Sequence, residues 1–121
     1  MSVEKTIWPG STQLAPVPVV LVGTGDASPR IPAPGGTAWA GTVASDPPMV
    51  AIGVRESRFT YHQIETLKCF TVNIPSADQA ETVDYCGVIS GRDTDKFSKR
   101  GLTPAMASKI TAPIVEECPL A

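Results

Sequence analysis

Arg55, Ser57, Arg58 and Thr60 place two guanidinium groups and two hydroxyls within six residues, between an apolar stretch and a helical pattern. That set suits a phosphate dianion. Guanidinium forms paired charge-assisted hydrogen bonds, and the free N–H groups and dipole of a helix start favour negative charge. The same residues also describe an ordinary helix start with solvated arginines, because Ser and Thr most often cap such a start. A second stretch, Thr42-Val43-Ala44-Ser45-Asp46-Pro47-Pro48, puts small side chains and hydroxyls at a strand end. A heterocycle with donors and acceptors at its edge can approach the backbone there; the alternative is a strand closed by a rigid turn.

The third stretch runs Asp84-Tyr85-Cys86-Gly87-Val88-Ile89-Ser90-Gly91-Arg92-Asp93-Thr94-Asp95-Lys96-Phe97. Ser90-Gly91 and Lys96 can reach an anion, or the charges form a solvated face. Neither a P-loop nor a dinucleotide fingerprint is present. Cys86 is a possible nucleophile, but the sole histidine, His62, falls on a different element, so a Cys–His dyad is poorly supported. The same scarcity argues against a histidine-based metal site. Cys69, Cys86 and Cys118 are odd in number, widely spaced and form no CxxC pair. They read as reduced thiols rather than a disulfide frame.

The 121 residues that must position these groups fit one domain, and 42% of them are apolar, enough for a packed core. Twelve acidic against ten basic side chains give a net charge of −2, which disfavours a nucleic-acid-binding face. Twelve prolines and ten glycines favour short strands and turns over long helices. The start, MSVEKTIWPGSTQ, has no secretory pattern. The longest apolar run, Val17 to Gly23, is far below the ~20 residues that span a bilayer. The expectation is a soluble, cytoplasmic chain.

Val17 to Thr24 reads as a strand, with Pro18 at an edge or strand start. Ala27 to Gly36, with three prolines, reads as a loop. Thr37 to Ser45 and Met49 to Arg55 are two further strands joined by a tight corner, the second of them buried. Thr60 and Gln63 have capping-box spacing ahead of a helix from Tyr61 to about Leu67. Cys69 to Ile74 is a fourth strand. Ser76 and Gln79 repeat the capping spacing and open a helix through about Cys86. Asp93 caps a short helix, Thr94 to Lys99, stopped by Gly101, and Ile110 to Glu116 is a last strand. The fold class is mainly β with short α-helical insertions, an antiparallel barrel rather than a parallel sheet. About five strands are visible, fewer than a small barrel needs to close.

Taken in order, PVPVVLVGTGD, AWAGTVASDPPMVAIGVRESRFTY, FTVNIP and VDYCGVISGRDTDKF…GLTP resemble the flavin reductase-like proteins of the FMN-binding split-barrel superfamily, flavoredoxin-like branch. The resemblance runs from about Trp8 to the end. It implies a single domain over 1–121, a six-stranded split barrel, a homodimer, and FMN in a groove near the subunit interface. It further implies reduction by NADH or NADPH, or electron relay through bound flavin. Carried over by position, Trp39, Thr42, Val43, Ala44 and Ser45 line the isoalloxazine and ribityl chain. Arg55, Ser57, Arg58 and Thr60 surround the phosphate, with Lys96 as a further candidate.

Two departures qualify it. Family members commonly carry Asn and Thr before Ala-Trp, where this chain has Ala33 and Gly36; Thr37, one place later, faces the other side of a strand. Relatives also continue well beyond the segment resembling APIVEECP, so the barrel is expected to be incomplete and its open edge, near Ile110 to Glu116, to seek a partner chain. A flavin groove needs no side-chain acid or base, so no catalytic residue is assigned. The alternatives are a non-enzymatic FMN-binding electron carrier and an inactive truncated remnant.

Overall fold

A computed structural model of the chain describes residues 1–25, the backbone of 33–37, and 39–121. The organising element is β1 (Val20–Thr24), whose five residues are all buried. It starts two residues after Pro18 and lies in the middle of an antiparallel sheet, between β2 (Ala33–Thr37) and β5 (Thr71–Asn73). Gly23 is required there. A Cβ at that position would collide with the Pro113 carbonyl oxygen and the Thr71 hydroxyl. β2 replaces the second half of the loop expected over Ala27 to Gly36; the rest of that loop lies outside the described residues. Pro34 is tolerated because β2 forms the outer strand of the sheet.

The strand expected over Thr37 to Ser45 is divided. Thr37 ends β2, whereas Ala40–Ser45 forms β3 and pairs with β4 (Pro48–Ile52). The tight corner between them is as expected, and the register shifts between Thr42 and Ala44, marking a bulge at Val43. The burial of Met49 to Arg55 is not. Met49 and Val50 are each 50% exposed, because β3 and β4 form a two-stranded ribbon outside the three-stranded sheet. Two strands alone bury little surface. Among the described residues the sheets do not close a barrel.

The helices α1 (Phe59–Leu67), α2 (Ala80–Val88) and α3 (Lys96–Arg100) differ from expectation mainly at their starts. Arg58, not Thr60, is the N-cap of α1, and the Gln63 side chain is drawn inward to accept the Thr24 hydroxyl at 2.6 Å rather than folding back to cap. The Ser76–Gln79 capping box forms, with the Ser76 N–H donating to Gln79 Oε1 at 2.8 Å, and leads into α2 through a short 3-10 turn over Ala77–Gln79. Asp95, not Asp93, caps α3, because its Oδ1 accepts from the N–H groups of both Phe97 and Ser98. Gly101 stops α3 at φ 65°, the left-handed position glycine tolerates.

Leu21 of β1, Val83 and Cys86 of α2, Phe97 of α3, Leu102, Val115 and Cys118 form one core. The C-terminal segment closes it. β6 (Pro104–Ala105) pairs with β7 (Ile114–Val115), and Ala112, Pro113 and Val115 are buried. Within Ile110 to Glu116, Ala112, Pro113 and Val115 therefore pack inside the chain while Ile110 stays exposed, and β3–β4 exposes Val43, Met49 and Val50 as well.

Asn73 joins these parts. Fully buried, it donates from Nδ2 to the Leu21 carbonyl (3.0 Å) and the Thr71 hydroxyl (3.1 Å), and its Oδ1 accepts the Val115 N–H (2.8 Å). Asn73→Ala leaves a buried carbonyl and a buried N–H without partners, at roughly 1–3 kcal/mol each. Urea unfolding should show a loss of about 2–6 kcal/mol by that sum; a loss below about 1 kcal/mol would show that water replaces the amide.

Candidate functional site

A cleft of about 850 Å³ opens between the β4–α1 connection, α2 and the turn leading to α3. Its size lies toward the upper end of the range for small-molecule sites, roughly 300–1,000 Å³. Of the residues singled out from sequence, Trp39, Arg55, Ser57, Arg58, Thr60 and Lys96 line it. Thr42, Val43, Ala44 and Ser45 do not; they stand on β3, on the exposed ribbon.

The wall nearest α1 is built from a helix start without a cap. Arg58 has extended backbone (φ −80°, ψ 143°), and its side chain makes no capping hydrogen bond. The Arg58 N–H donates to the Arg55 carbonyl at 3.0 Å, folding the loop so that Arg55, Ser57 and Arg58 gather at that end. No acidic residue occupies the first turn of α1. The positive end of the helix dipole thus meets two guanidinium groups, an arrangement that favours an anion in the cleft.

The opposite wall comes from α2 and α3. Lys96 is 4% exposed, and its Nζ donates to the Cys86 carbonyl at 2.6 Å. Cys86 is in the last turn of α2, where carbonyls lack helical partners; the preceding one, Tyr85, accepts the Ile89 N–H at 3.0 Å. Lys96 therefore caps the C-terminus of α2 with a cation, as the dipole prefers. Burial pulls the Lys96 ammonium below the usual lysine range; the neighbouring Cys86 thiol pushes it back up and Arg58 pulls it further down. Burial pushes the Cys86 thiol up, against smaller opposing effects of Lys96 and Arg100.

The third sequence stretch resolves into structural roles around this corner. Asp95 caps α3, Lys96 caps α2, Phe97 enters the core, and the Ser90 hydroxyl accepts the Arg92 N–H at 3.2 Å in the turn between them. Ser90 and Gly91 line the cleft. Sequence reasoning missed the wall formed by Ser76, Ala77 and Ala80, which Asp84 of the third stretch joins. Its only signal was small or polar residues at helical spacing, which left room beside the helix.

The residues present fit a phosphorylated planar ligand. Cations and an uncapped helix start stand at one end of a cleft that also contains the Trp39 indole. Residues 12–121 match the flavin reductase like domain, and the chain belongs to that family. The chain is similar to the flavoredoxin of Desulfovibrio vulgaris (Miyazaki F): 38% identity, TM-score 0.85, covering 94% of this chain and 62% of that one. Flavoredoxin from Methanosarcina acetivorans aligns at 29% identity and TM-score 0.84, over 96% of this chain and 60% of its own. The uncharacterized protein YddH of Escherichia coli (strain K12) is 36% identical over 80 residues, 66% of this chain and 42% of YddH. The chain thus spans less than two thirds of the length of these proteins. None of the helices among the described residues is long and apolar enough to cross a membrane.

The thiol environments give a direct check. Cys86 and Cys118 are buried, with burial pushing both thiols up, whereas Cys69 is part-exposed. A neutral alkylating reagent near pH 7.5 should label Cys69 first, with the other two reacting only after denaturation. Rapid native labelling of Cys86 would show that the cleft wall opens.

Proposed function

We infer that the cleft binds FMN and that the protein is a flavin-dependent oxidoreductase, reduced by NADH or NADPH. The observation that carries this is the uncapped start of α1, opening between Arg55, Ser57 and Arg58 into a cleft of about 850 Å³ in a member of this family. In this reading Arg55, Ser57, Arg58 and Thr60 hold the phosphate, Lys96 adds a cation, and Trp39 borders the ring. Bound flavin supplies hydride chemistry; the chain's task is to orient the ring and keep one face open, which requires no side-chain acid or base.

The reading also includes a homodimer in which the 121 residues act as one split-barrel-type domain. Support comes from the ribbon. Trp39, Val43, Met49 and Val50 are at least half exposed on or beside it, more apolar surface than a two-stranded element can bury by itself. Thr42, Val43, Ala44 and Ser45 lie outside their own chain's cleft, so they meet a flavin when the ribbon of one protomer reaches the cleft of its partner.

FMN added to the purified protein should give a bound-flavin absorbance band and quenched fluorescence. Arg58→Ala should weaken binding by about 1.5–3 kcal/mol, the value of a charge-assisted hydrogen bond, with little change in unfolding midpoint because Arg58 is exposed. Unchanged affinity would remove Arg58 from the site. NAD(P)H consumption with free flavin or a ferric acceptor separates a reductase from a carrier. Sedimentation should show a dimer, and Val43→Glu with Val50→Glu should shift it to monomer; a monomeric wild-type chain overturns the assembly.

A further inference from the structure

Residues 1–19 form no helix or strand, and among the described residues none of the loop and turn backbone hydrogen bonds involves them. Pro9, Pro16 and Pro18 remove three backbone donors from this arm. The arm is nevertheless apolar. Ile7 is 97% exposed and Leu14 85%, and Val3 and Trp8 are exposed with them. One exposed apolar side chain needs no explanation, but four between positions 3 and 14 make a surface suited to burial in a complex. The arm's own chain does not supply that burial.

A groove of complementary chemistry lies between the end of β4 and α1. Ile52, Val54, Tyr61, Ile64 and Phe70 line about 320 Å³ there, with the exposed Glu65 beside them. Only Val54 is shared with the larger cleft. The charge of Glu65 is the largest influence raising the Tyr61 hydroxyl above its usual range, followed by burial and by Glu56. The groove is therefore apolar inside and negative at its margin. Among the described residues no ion pair engages Glu56, Glu65 or Lys5. Ile52 is also the last residue of β4, so the groove continues the exposed apolar ribbon.

The arm presents the matching pattern. In an extended segment alternate residues share a face, so Val3, Lys5 and Ile7 stand together and Glu4 and Thr6 stand on the other side. Lys5 and Ile7 are then about 6.7 Å apart, so the ammonium meets a carboxylate at the margin while the aliphatic side chain enters the groove. Thirteen residues separate Ile7 from Val20 at the start of β1, an extended reach of about 45 Å that carries Ile7 to a neighbouring molecule. We propose that the groove between β4 and α1 is the docking site for the N-terminal arm of a second copy of this chain, with Ile7 in the groove and Lys5 paired with Glu65. In a two-fold dimer the exchange is reciprocal, each copy giving an arm and receiving one. The inference rests on the self-association read above and is independent of any ligand in the cleft.

The test has two parts. Isotopically light and heavy full-length chains are mixed at low concentration, concentrated, and coupled amine to carboxylate with a carbodiimide. Mass spectrometry should find Lys5 joined to Glu65 in light–heavy pairs as often as in same-isotope pairs. Sedimentation then measures the dimer dissociation constant. Ile7→Asp should raise it at least about tenfold, the effect of one aliphatic side chain left unburied, with the unfolding midpoint of the diluted protein unchanged. Thr6→Asp, on the opposite face, should leave it unchanged. Lys5→Glu and Glu65→Lys should each weaken the dimer severalfold, and the two together should restore it. A Lys5–Glu65 link confined to same-isotope pairs places the arm on its own groove and overturns the proposal. Absence of the link overturns it, as does an equal loss in Thr6→Asp. A dimer dissolved by Val43→Glu with Val50→Glu but indifferent to Ile7→Asp overturns this inference alone, whereas a wild type monomeric at every concentration overturns the homodimer with it.

Discussion

The buried amide of Asn73 is the interaction on which the remaining structure depends. It ties the carbonyl of Leu21 on the central strand to the N–H of Val115 in the C-terminal segment, while Thr71 beside it donates to the Pro113 carbonyl. A third link, from the Ile74 N–H to the Leu120 carbonyl at 2.8 Å, extends the seam. A side-chain amide is used because the C-terminal segment does not form a full ladder with β5, and each buried backbone group still requires a partner. Gly23 answers the same constraint from the other side, leaving the space into which Pro113 and Thr71 approach.

Once that seam is closed, the helices have a fixed sheet to cover, and their ends define the cleft. One wall is an uncapped helix start with two arginines; the other is a helix end capped by a buried lysine. The two walls bring cations together from positions 55 to 58 and from position 96. Arg58 acts on Lys96 through its charge, although 38 residues separate them in sequence. Such a concentration of positive charge is unfavourable by itself and becomes favourable with an anion between the walls. The cleft thus holds ligand-binding potential that the fold alone does not need.

The ribbon β3–β4 follows a different logic from the seam. Its residues have the β-branched and apolar character of strands, and the chain does pair them. No second layer among the described residues covers them, so the same apolar side chains that mark a strand remain half exposed. The four residues Thr42, Val43, Ala44 and Ser45 share this position and line no wall of their own chain's cleft.

Local patterning in the sequence determined the strand at Val20–Thr24, the β3–β4 hairpin, three short helices in order, the Ser76–Gln79 capping box and the Gly101 stop. Each of these depends on residues within a few positions of one another, where propensity and capping chemistry act directly. The motif stretches also determined the family and six of the residues that line the cleft. Tertiary structure alone decided which polar groups became caps and which became bridges. Gln63 has the spacing of a capping residue but is taken by Thr24, 39 positions away, and Asp95 rather than Asp93 caps α3 because Phe97 must turn into the core. The pairing of Lys96 with Cys86 and the burial of Asn73 were equally invisible. A hydrogen-bonding side chain is read locally only while its partner is local, and at Gln63, Lys96 and Asn73 the deciding partners lie on other elements that meet only in the folded chain.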